Sequence, residues 1–216
     1  MDVQILGADG PIVWLPSFGD EGTNVWAACQ EMGMAGFRLA VVETPDWNDA
    51  LSPWPAPAVY QKMPPFGGHA DRTLEALTAR VAQEDAPWHA VAGYSLAGLF
   101  ALYALYRTGC FACAASVSGS LWYPQFMDLV RTDTMPRRPD AVYLSLGDRE
   151  HLTRNATMAS VHDETAAMHA HLQGLGIPTV FIEEPGGHFQ DPAGRTARGI
   201  AWLLANVPHP KGDDLS

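Results

Sequence analysis

Short apolar runs alternate along the chain with longer amphipathic stretches, and this alternation is its main structural signal. Several short runs are apolar throughout, which is typical of strands in a mostly parallel sheet covered by helices on both faces. Strands are predicted near residues 3–6, 12–15, 37–42, 89–93, 114–117, 141–146 and 179–183. Helices are predicted near residues 24–34, 71–83, 96–107, 124–131, 156–172 and 193–206. The order of these elements predicts an α/β domain with right-handed crossovers.

Two connections, residues 44–68 and 118–139, are too long to be simple turns. Long irregular segments in compact domains are usually functional or disordered, and the aromatic content of these two argues against disorder. We expect them to lie at the functional edge of the sheet and to form an aromatic pocket for a small molecule. The alternative is that their aromatic residues only cover a small core. The predicted substrate contacts are Trp47, Trp54, Trp122 and Tyr123.

Length and charge narrow the class of protein. The chain has 216 residues, 47% of them hydrophobic, which suits one domain over residues 1–216 with a full core. Its last residues, 207–216, are polar and predicted to be frayed. The 13 Lys and Arg against 24 Asp and Glu give a formal net charge of −11. This charge repels nucleic acid and anionic membrane surfaces, so neither is an expected partner.

The N-terminus and the cysteines favour a cytoplasmic protein. The first residues lack the basic and apolar regions of a signal peptide, and no later apolar run is long enough to span a membrane. Cys29, Cys110 and Cys113 make an odd count, which argues for a reducing compartment rather than a disulfide framework. Cys110 and Cys113 follow a helix and run into an apolar strand, so we interpret them as buried structural thiols.

The segment Gly93-Tyr94-Ser95-Leu96-Ala97-Gly98 is the strongest chemical signal in the sequence. It follows an apolar strand and opens a predicted helix, which is the context of a nucleophile elbow. A serine on such a sharp turn needs small neighbours, and Gly93 and Ala97 are small. The helix N-terminus beneath it favours developing negative charge. The alternative is a serine that caps a helix after a tight turn. We predict that Ser95 is a nucleophile.

A serine hydroxyl needs a general base to act as a nucleophile near neutral pH. Of the eight histidines, His188 lies in the Gly-rich turn Gly186-Gly187-His188-Phe189, between the last predicted strand and the last predicted helix. That turn belongs to the carboxyl edge of the sheet, where the elbow also lies. We predict that His188 is the base, and the alternative is an ordinary surface histidine.

The third member of a triad would be a carboxylate after the penultimate predicted strand, where the sequence reads Gly147-Asp148-Arg149-Glu150. A glycine followed by two residues and then the acid is a spacing common among hydrolases with a nucleophile elbow, and it favours Glu150. Asp148 remains the alternative, and would otherwise brace the loop by hydrogen bonding its backbone. No cluster of His, Asp and Glu has the spacing of a metal site, so no metal is expected.

An oxyanion formed in acyl transfer needs two backbone donors. The amide of Leu96, immediately after the predicted nucleophile, is the first candidate. The second is expected from the loop after the early strand at 12–15, where Ser17 or Phe18 is the candidate. The alternative is that this segment is an ordinary strand-to-helix loop.

Over about residues 12–204, the chain resembles the branch of the α/β-hydrolases that contains esterase D-like and enterochelin esterase-like enzymes. The segments that carry the resemblance are Gly93-Tyr94-Ser95-Leu96-Ala97-Gly98, Ser145-Leu146-Gly147-Asp148-Arg149-Glu150 and Gly186-Gly187-His188-Phe189. It implies an α/β-hydrolase fold, compact and without a large cap domain. It also implies hydrolysis of carboxylic esters through an acyl-serine intermediate, without a metal or organic cofactor. Together with the aromatic connections, this indicates a small acyl or aryl ester as substrate.

Other functions stay open at the level of the sequence. An acyltransferase, a thioesterase or a peptidase would use the same triad and differ only in the acceptor or the leaving group. A ligand-binding protein on a hydrolase scaffold is the non-catalytic alternative, and the complete set of Ser, acid and His argues against it. The sequence does not select a natural substrate or an oligomeric state.

Overall fold

The computed structural model describes residues 1–60 and 62–207. The strands in this part of the chain are β1 (Val3–Leu6), β2 (Ile12–Ser17), β3 (Arg38–Glu43), β4 (Pro55–Ala56), β5 (Phe66–Gly67), β6 (His89–Tyr94), β7 (Cys113–Val117), β8 (Ala141–Gly147) and β9 (Thr179–Glu184). The helices are α1 (Glu21–Glu31), α2 (Trp47–Ala50), α3 (Ala70–Val81), α4 (Leu96–Arg107), α5 (Phe126–Thr132), α6 (Ala156–Ala159), α7 (Val161–Gly174) and α8 (Pro192–Asn206).

Seven strands form one sheet in the order β1-β3-β2-β6-β7-β8-β9. Strand β1 pairs antiparallel with β3, and every other neighbouring pair in this sheet is parallel. The short strands β4 and β5 form a separate antiparallel ribbon. The carboxyl ends of the parallel strands meet at one edge, so the segments that follow β2, β6, β8 and β9 are brought together there. The predicted mostly parallel α/β fold is confirmed.

Helices cover both faces of the sheet. Along β2, the side chain of Trp14 is buried on the face covered by α3, α4, α5 and α7, whereas Val13 and Leu15 are buried on the face covered by α1 and α8. This alternation follows from the two-residue period of a strand. Helix α4 is buried along nearly its whole length, which explains why its sequence is apolar on all sides. The connections form no separate cap domain in the described part of the chain.

Most predicted element boundaries shift by one to three residues in the structure, and three predicted segments differ more substantially. Residues 156–172, predicted as one helix, form α6 and α7, which are separated at Ser160. The Ser160 hydroxyl donates to the Thr157 carbonyl oxygen at 2.9 Å, a local bond that competes with continuous helix. The connection at 44–68 contains α2 and the β4–β5 ribbon. The predicted frayed tail at 207–216 does not include Val207, which is 3% exposed, and its remainder lies outside the described residues.

Two further observations concern membrane-spanning helices and the thiols. No helix among the described residues has the length and hydropathy needed to cross a membrane. Cys29 and Cys113 are buried and Cys110 is half-buried, all as free thiols. Burial raises the pKa of Cys29 to about 11, so this thiol stays protonated and unreactive near neutral pH.

Candidate active site

Ser95 lies on the sharp turn between β6 and α4. Its backbone angles, φ 58° and ψ −120°, fall in a region that residues other than glycine seldom adopt. The Ser95 amide donates to the carbonyl oxygen of Val117 in the neighbouring strand β7 at 3.0 Å, which holds the turn in place. A Cβ atom built on Gly93 would overlap the backbone of Ala97, so the turn closes only with glycine there. The strained turn therefore has the geometry of a nucleophile elbow.

A continuous chain of hydrogen bonds joins Ser95, His188 and Glu150. Ser95 Oγ lies 3.0 Å from His188 Nε2. On the other side of the ring, His188 Nδ1 lies 2.7 Å from Glu150 Oε2. The His188 side chain is 29% exposed, whereas that of Glu150 is 3% exposed. A carboxylate at Nδ1 favours the tautomer that leaves Nε2 free to accept the serine proton, which is the arrangement of a nucleophile, its base and an orienting acid.

The structure distinguishes Glu150 from Asp148, the two candidate acids that the sequence left open. Glu150 contacts the imidazole, whereas Asp148 Oδ1 accepts a hydrogen bond from the Gly186 amide at 2.8 Å. The Asp148 side chain is about half exposed and lies 3.8 Å from Arg149 Nε. Asp148 thus joins the loop after β8 to the loop after β9, and it does not contact His188 among the described hydrogen bonds.

Glu150 uses its two carboxylate oxygens differently. Oε2 faces the imidazole, and Oε1 accepts from Ser118 Oγ at 2.7 Å, the Gly147 amide at 2.7 Å and Arg195 Nη1 at 3.2 Å. Burial alone would raise the pKa of Glu150, but hydrogen bonds from His188, Ser118 and the Gly147 amide outweigh it and hold this pKa below its ordinary value. Glu150 is therefore an ionised, anchored carboxylate at neutral pH.

Sequence reasoning missed three residues around this site: Ser118, Tyr94 and Arg195. Ser118 directly follows β7 with φ 47°, a strained value that accompanies its bond to Glu150. The Tyr94 hydroxyl donates to the carbonyl oxygen of His188 and so fixes the loop that carries this histidine. The sequence does indicate that Arg195 is buried, because it lies in one row of α8 with Gly199 and Leu203, on the buried face of that helix.

The two candidate oxyanion donors lie at the start of α4 and after β2. The Leu96 amide is the first of helix α4 and has no hydrogen-bond partner among the described residues. Ser17 is buried inside the sheet and pairs with Glu43 of β3, so we retain Phe18 rather than Ser17 as the second candidate. The Phe18 amide donates to Glu21 Oε2 at 3.3 Å, and its side chain is exposed.

Glu21 is a titratable carboxyl group close to Ser95 and His188. It borders one hollow with Phe18 and an adjoining hollow with Ser95 and His188. Burial raises the pKa of Glu21 to about 7, opposed in part by the hydrogen bond from the Phe18 amide. Since this carboxyl is protonated in the fold up to a higher pH than in the unfolded chain, its ionisation destabilises the fold as the pH rises toward 7 and above.

Glu21→Gln is therefore expected to raise the free energy of unfolding by about 1–2 kcal/mol at pH 8 relative to the native chain, with little gain at pH 4.5. The glutamine oxygen still accepts from the Phe18 amide. Urea unfolding of both proteins at the two pH values measures the effect. Glu31→Gln, at the exposed opposite end of α1, is the matched control and should change the pH dependence little. An equal change at both pH values for Glu21→Gln would contradict the assignment.

A cleft of about 680 Å³ opens at Ser95 and His188. Its walls are largely apolar and aromatic and include two of the four predicted substrate contacts, Trp47 and Trp122. A smaller hollow of about 60 Å³ shares Trp122 and Met158 with the cleft and is also lined by Ser118 and Val161. Both hollows are lined by Ser95 and His188.

The other two predicted substrate contacts, Trp54 and Tyr123, do not line this cleft. The Tyr123 side chain is 2% exposed, and its hydroxyl donates to the Trp54 carbonyl oxygen at 2.5 Å. The Trp54 indole donates in turn to the Pro124 carbonyl oxygen at 3.0 Å. These bonds fasten the two long connections to each other, so both aromatic residues support the wall behind the cleft. Their polar ends are satisfied by backbone, as buried Tyr and Trp require.

Comparison of sequences gives few relatives. No family model matches the chain. A curated relative, the uncharacterized protein YbbA of Bacillus subtilis (strain 168), is 22% identical over 161 residues, which cover 70% of this chain and 64% of YbbA. The chain thus matches less than two thirds of the length of that relative.

Solved structures show the same fold. The IroE-like serine hydrolase from Shewanella oneidensis is 18% identical with a TM-score of 0.71, covering 91% of this chain and 71% of its own. The enterobactin esterase FES from Shigella flexneri is 20% identical with a TM-score of 0.62, covering 94% and 55%. Zea mays acyl-protein thioesterase 2 is 16% identical with a TM-score of 0.60, covering 96% and 99%. Together with the sheet order, these likenesses establish that the chain has the α/β-hydrolase fold.

Proposed function

We propose that this protein is a serine hydrolase that cleaves carboxylic esters of small acyl or aryl substrates through an acyl-serine intermediate. The observation that supports it is the hydrogen-bonded chain from Ser95 Oγ through the His188 ring to Glu150. A fold of this kind hosts many activities, so the proposal rests on this site rather than on the architecture. The esterases and serine hydrolase among the structural neighbours fit the same chemistry.

The proposed reaction follows from the positions of the proton donors and acceptors. Ser95 Oγ attacks the ester carbonyl carbon while His188 Nε2 accepts the hydroxyl proton. The resulting oxyanion accepts a hydrogen bond from the Leu96 amide, which has no partner among the described residues, and from the Phe18 amide once this amide exchanges its 3.3 Å bond to Glu21 Oε2 for the oxyanion. The bond to the alcohol oxygen then breaks, and the imidazolium donates its proton to the departing alkoxide. A water molecule repeats the sequence on the acyl-serine and releases the acid, which restores the serine.

The cleft supports the choice of substrate. The walls of the larger hollow are apolar and aromatic, and such walls bind apolar or aryl groups through surface removed from water. Among the described residues of that wall, Glu150 and Arg149 are charged, and the Arg149 side chain is 66% exposed. An uncharged ester with one ring-sized group therefore suits the cleft.

Turnover of matched substrates tests this proposal. We expect hydrolysis of p-nitrophenyl acetate and butyrate that exceeds the rate of the Ser95→Ala variant at least 100-fold, with slower cleavage of the matched p-nitroanilides. A thioester preferred over its oxygen ester would replace the substrate class by thioesters. Consumption of ester that produces no free acid until an alcohol or amine is added would indicate acyl transfer. A folded protein that hydrolyses none of them would favour ligand binding and contradict the proposal.

A further inference from the structure

Arg195 is an arginine of helix α8 that the proposed reaction does not use, although its side chain is only 1% exposed. Arginine is seldom fully buried unless its charge is paired. Here Nη1 donates to Glu150 Oε1 at 3.2 Å and to Ser118 Oγ at 3.3 Å. Nη2 donates to the Pro185 carbonyl oxygen at 2.8 Å. All three acceptors belong to the elements that surround the Ser95 site.

These contacts connect the loop that carries the acid with the loop that carries the base. Glu150 follows β8, whereas Pro185 begins the turn after β9 that ends at His188. One guanidinium group thus binds both loops. The N–H donors of a planar guanidinium have fixed relative directions. Arg195 therefore orients the Glu150 carboxylate and the Pro185 carbonyl group at the same time. The distance between Glu150 and His188 is therefore tied to the position of Arg195.

The charges around His188 give Arg195 a second effect. With the imidazole neutral, the buried Arg195 and Glu150 side chains sum to zero charge. Without Arg195, the Glu150 carboxylate would be a buried charge with no countercharge, and protonation of His188 would supply one. A protonated imidazole cannot accept the proton of Ser95.

We infer that Arg195 is a positioning residue that holds Glu150 and, through its charge, keeps His188 neutral and able to act as a base at lower pH. This inference rests on the proposed hydrolase function. It predicts an effect on the pH profile that loss of packing alone would not produce.

Several charged or titratable groups face His188 and bear on such a profile. They are Glu150 after β8, Tyr94 at the end of β6, Arg195 in α8, Arg149 in the loop after β8, Asp20 immediately before α1 and Glu21 at its start. Burial raises the pKa of Glu21 to about 7, so it titrates within the useful pH range. Profiles are therefore recorded in the native chain and in the Glu21→Gln background, which removes the ionisation of Glu21 from the profile.

The test compares kcat/KM for p-nitrophenyl acetate between pH 5 and 9 in Arg195→Met and Arg195→Lys. For Arg195→Met we expect the acidic limb to move upward by about 1 pH unit, with a loss of about 100-fold at pH 6 and about tenfold at pH 9. Arg195→Lys keeps the positive charge but not the planar arrangement of donors. The acidic limb of its pH profile should therefore stay at the native position, with a smaller loss of kcat/KM than in Arg195→Met. Arg198→Met is the matched control, because Arg198 lies on the same helix and pairs with the buried Glu184 and the exposed Asp191, and its described hydrogen bonds reach neither Glu150 nor His188.

The outcomes separate the inference from the proposed function. A folded Arg195→Met protein whose acidic limb stays at the native position would overturn the inference, whether its kcat/KM is unchanged or lowered equally at every pH. The proposed hydrolase function would then still stand. Absence of ester turnover in the native chain would instead remove the proposed function. If Arg195→Met does not fold, as judged by circular dichroism, Arg195→Gln retains donors without the charge and carries the same expectation for the limb.

Discussion

Replacing Ser95 or His188 by alanine is expected to lower kcat/KM for a p-nitrophenyl ester by about 10⁴–10⁶ while the protein stays folded. The hydroxyl and the imidazole act as one unit, so loss of either leaves no activated nucleophile. The double variant should then be little worse than either single variant, because the effects of such residues are not additive. Steady-state kinetics of the purified proteins, with thermal unfolding to confirm the fold, measures this result.

Ser120→Ala is the control for the identity of the nucleophile. The Ser120 hydroxyl lies 3.5 Å from Ser95 Oγ and borders the same hollow, but it makes no described hydrogen bond to His188. We expect this variant to keep at least a tenth of the native activity. Loss of activity in Ser120→Ala, together with retention of activity in Ser95→Ala, would show that Ser120 rather than Ser95 is the nucleophile.

Glu150→Gln is expected to reduce kcat by about 10³–10⁴, whereas Asp148→Asn should keep it within about fivefold. The glutamine side chain has nearly the same shape, but it removes the charge that stabilises the imidazolium and can turn an N–H toward His188 Nδ1. In Asp148→Asn the Oδ1 atom can still accept from the Gly186 amide, so the loop after β9 keeps its brace. Single-turnover kinetics of the two variants compares them directly. The reverse order of effects would make Asp148 the catalytic acid.

Much of the fold could be predicted from the sequence, because strand-length apolar runs and turn residues are local signals. The elbow and the Gly-Gly-His turn are also local, and topology alone then brings Ser95 and His188 to the same sheet edge. The sequence could narrow the acid only to two residues of one loop. Which of them reaches the imidazole depends on the turn geometry, in which the Glu150 amide donates to the Gly147 carbonyl oxygen at 3.0 Å.

The remaining features depend on contacts between distant segments. Arg195 lies 45 positions from Glu150, and no local pattern indicates that an arginine of the last helix reaches the acid. Trp54 and Tyr123 have the composition of cleft residues, yet they pair 69 positions apart and support the wall behind it. A pattern of residue types identifies which side chains can do chemistry, whereas tertiary packing decides which of them meet.

Labelling with a fluorophosphonate, read by intact-mass spectrometry, tests the central claim most directly because it needs no knowledge of the substrate. An activated serine attacks phosphorus and becomes stably phosphonylated, whereas ordinary serine hydroxyls do not react. We expect one adduct per native chain, located on the peptide that contains Ser95, and none in Ser95→Ala. A folded native protein that gains no adduct, or an adduct that persists in Ser95→Ala, would contradict the assignment of Ser95 as the nucleophile.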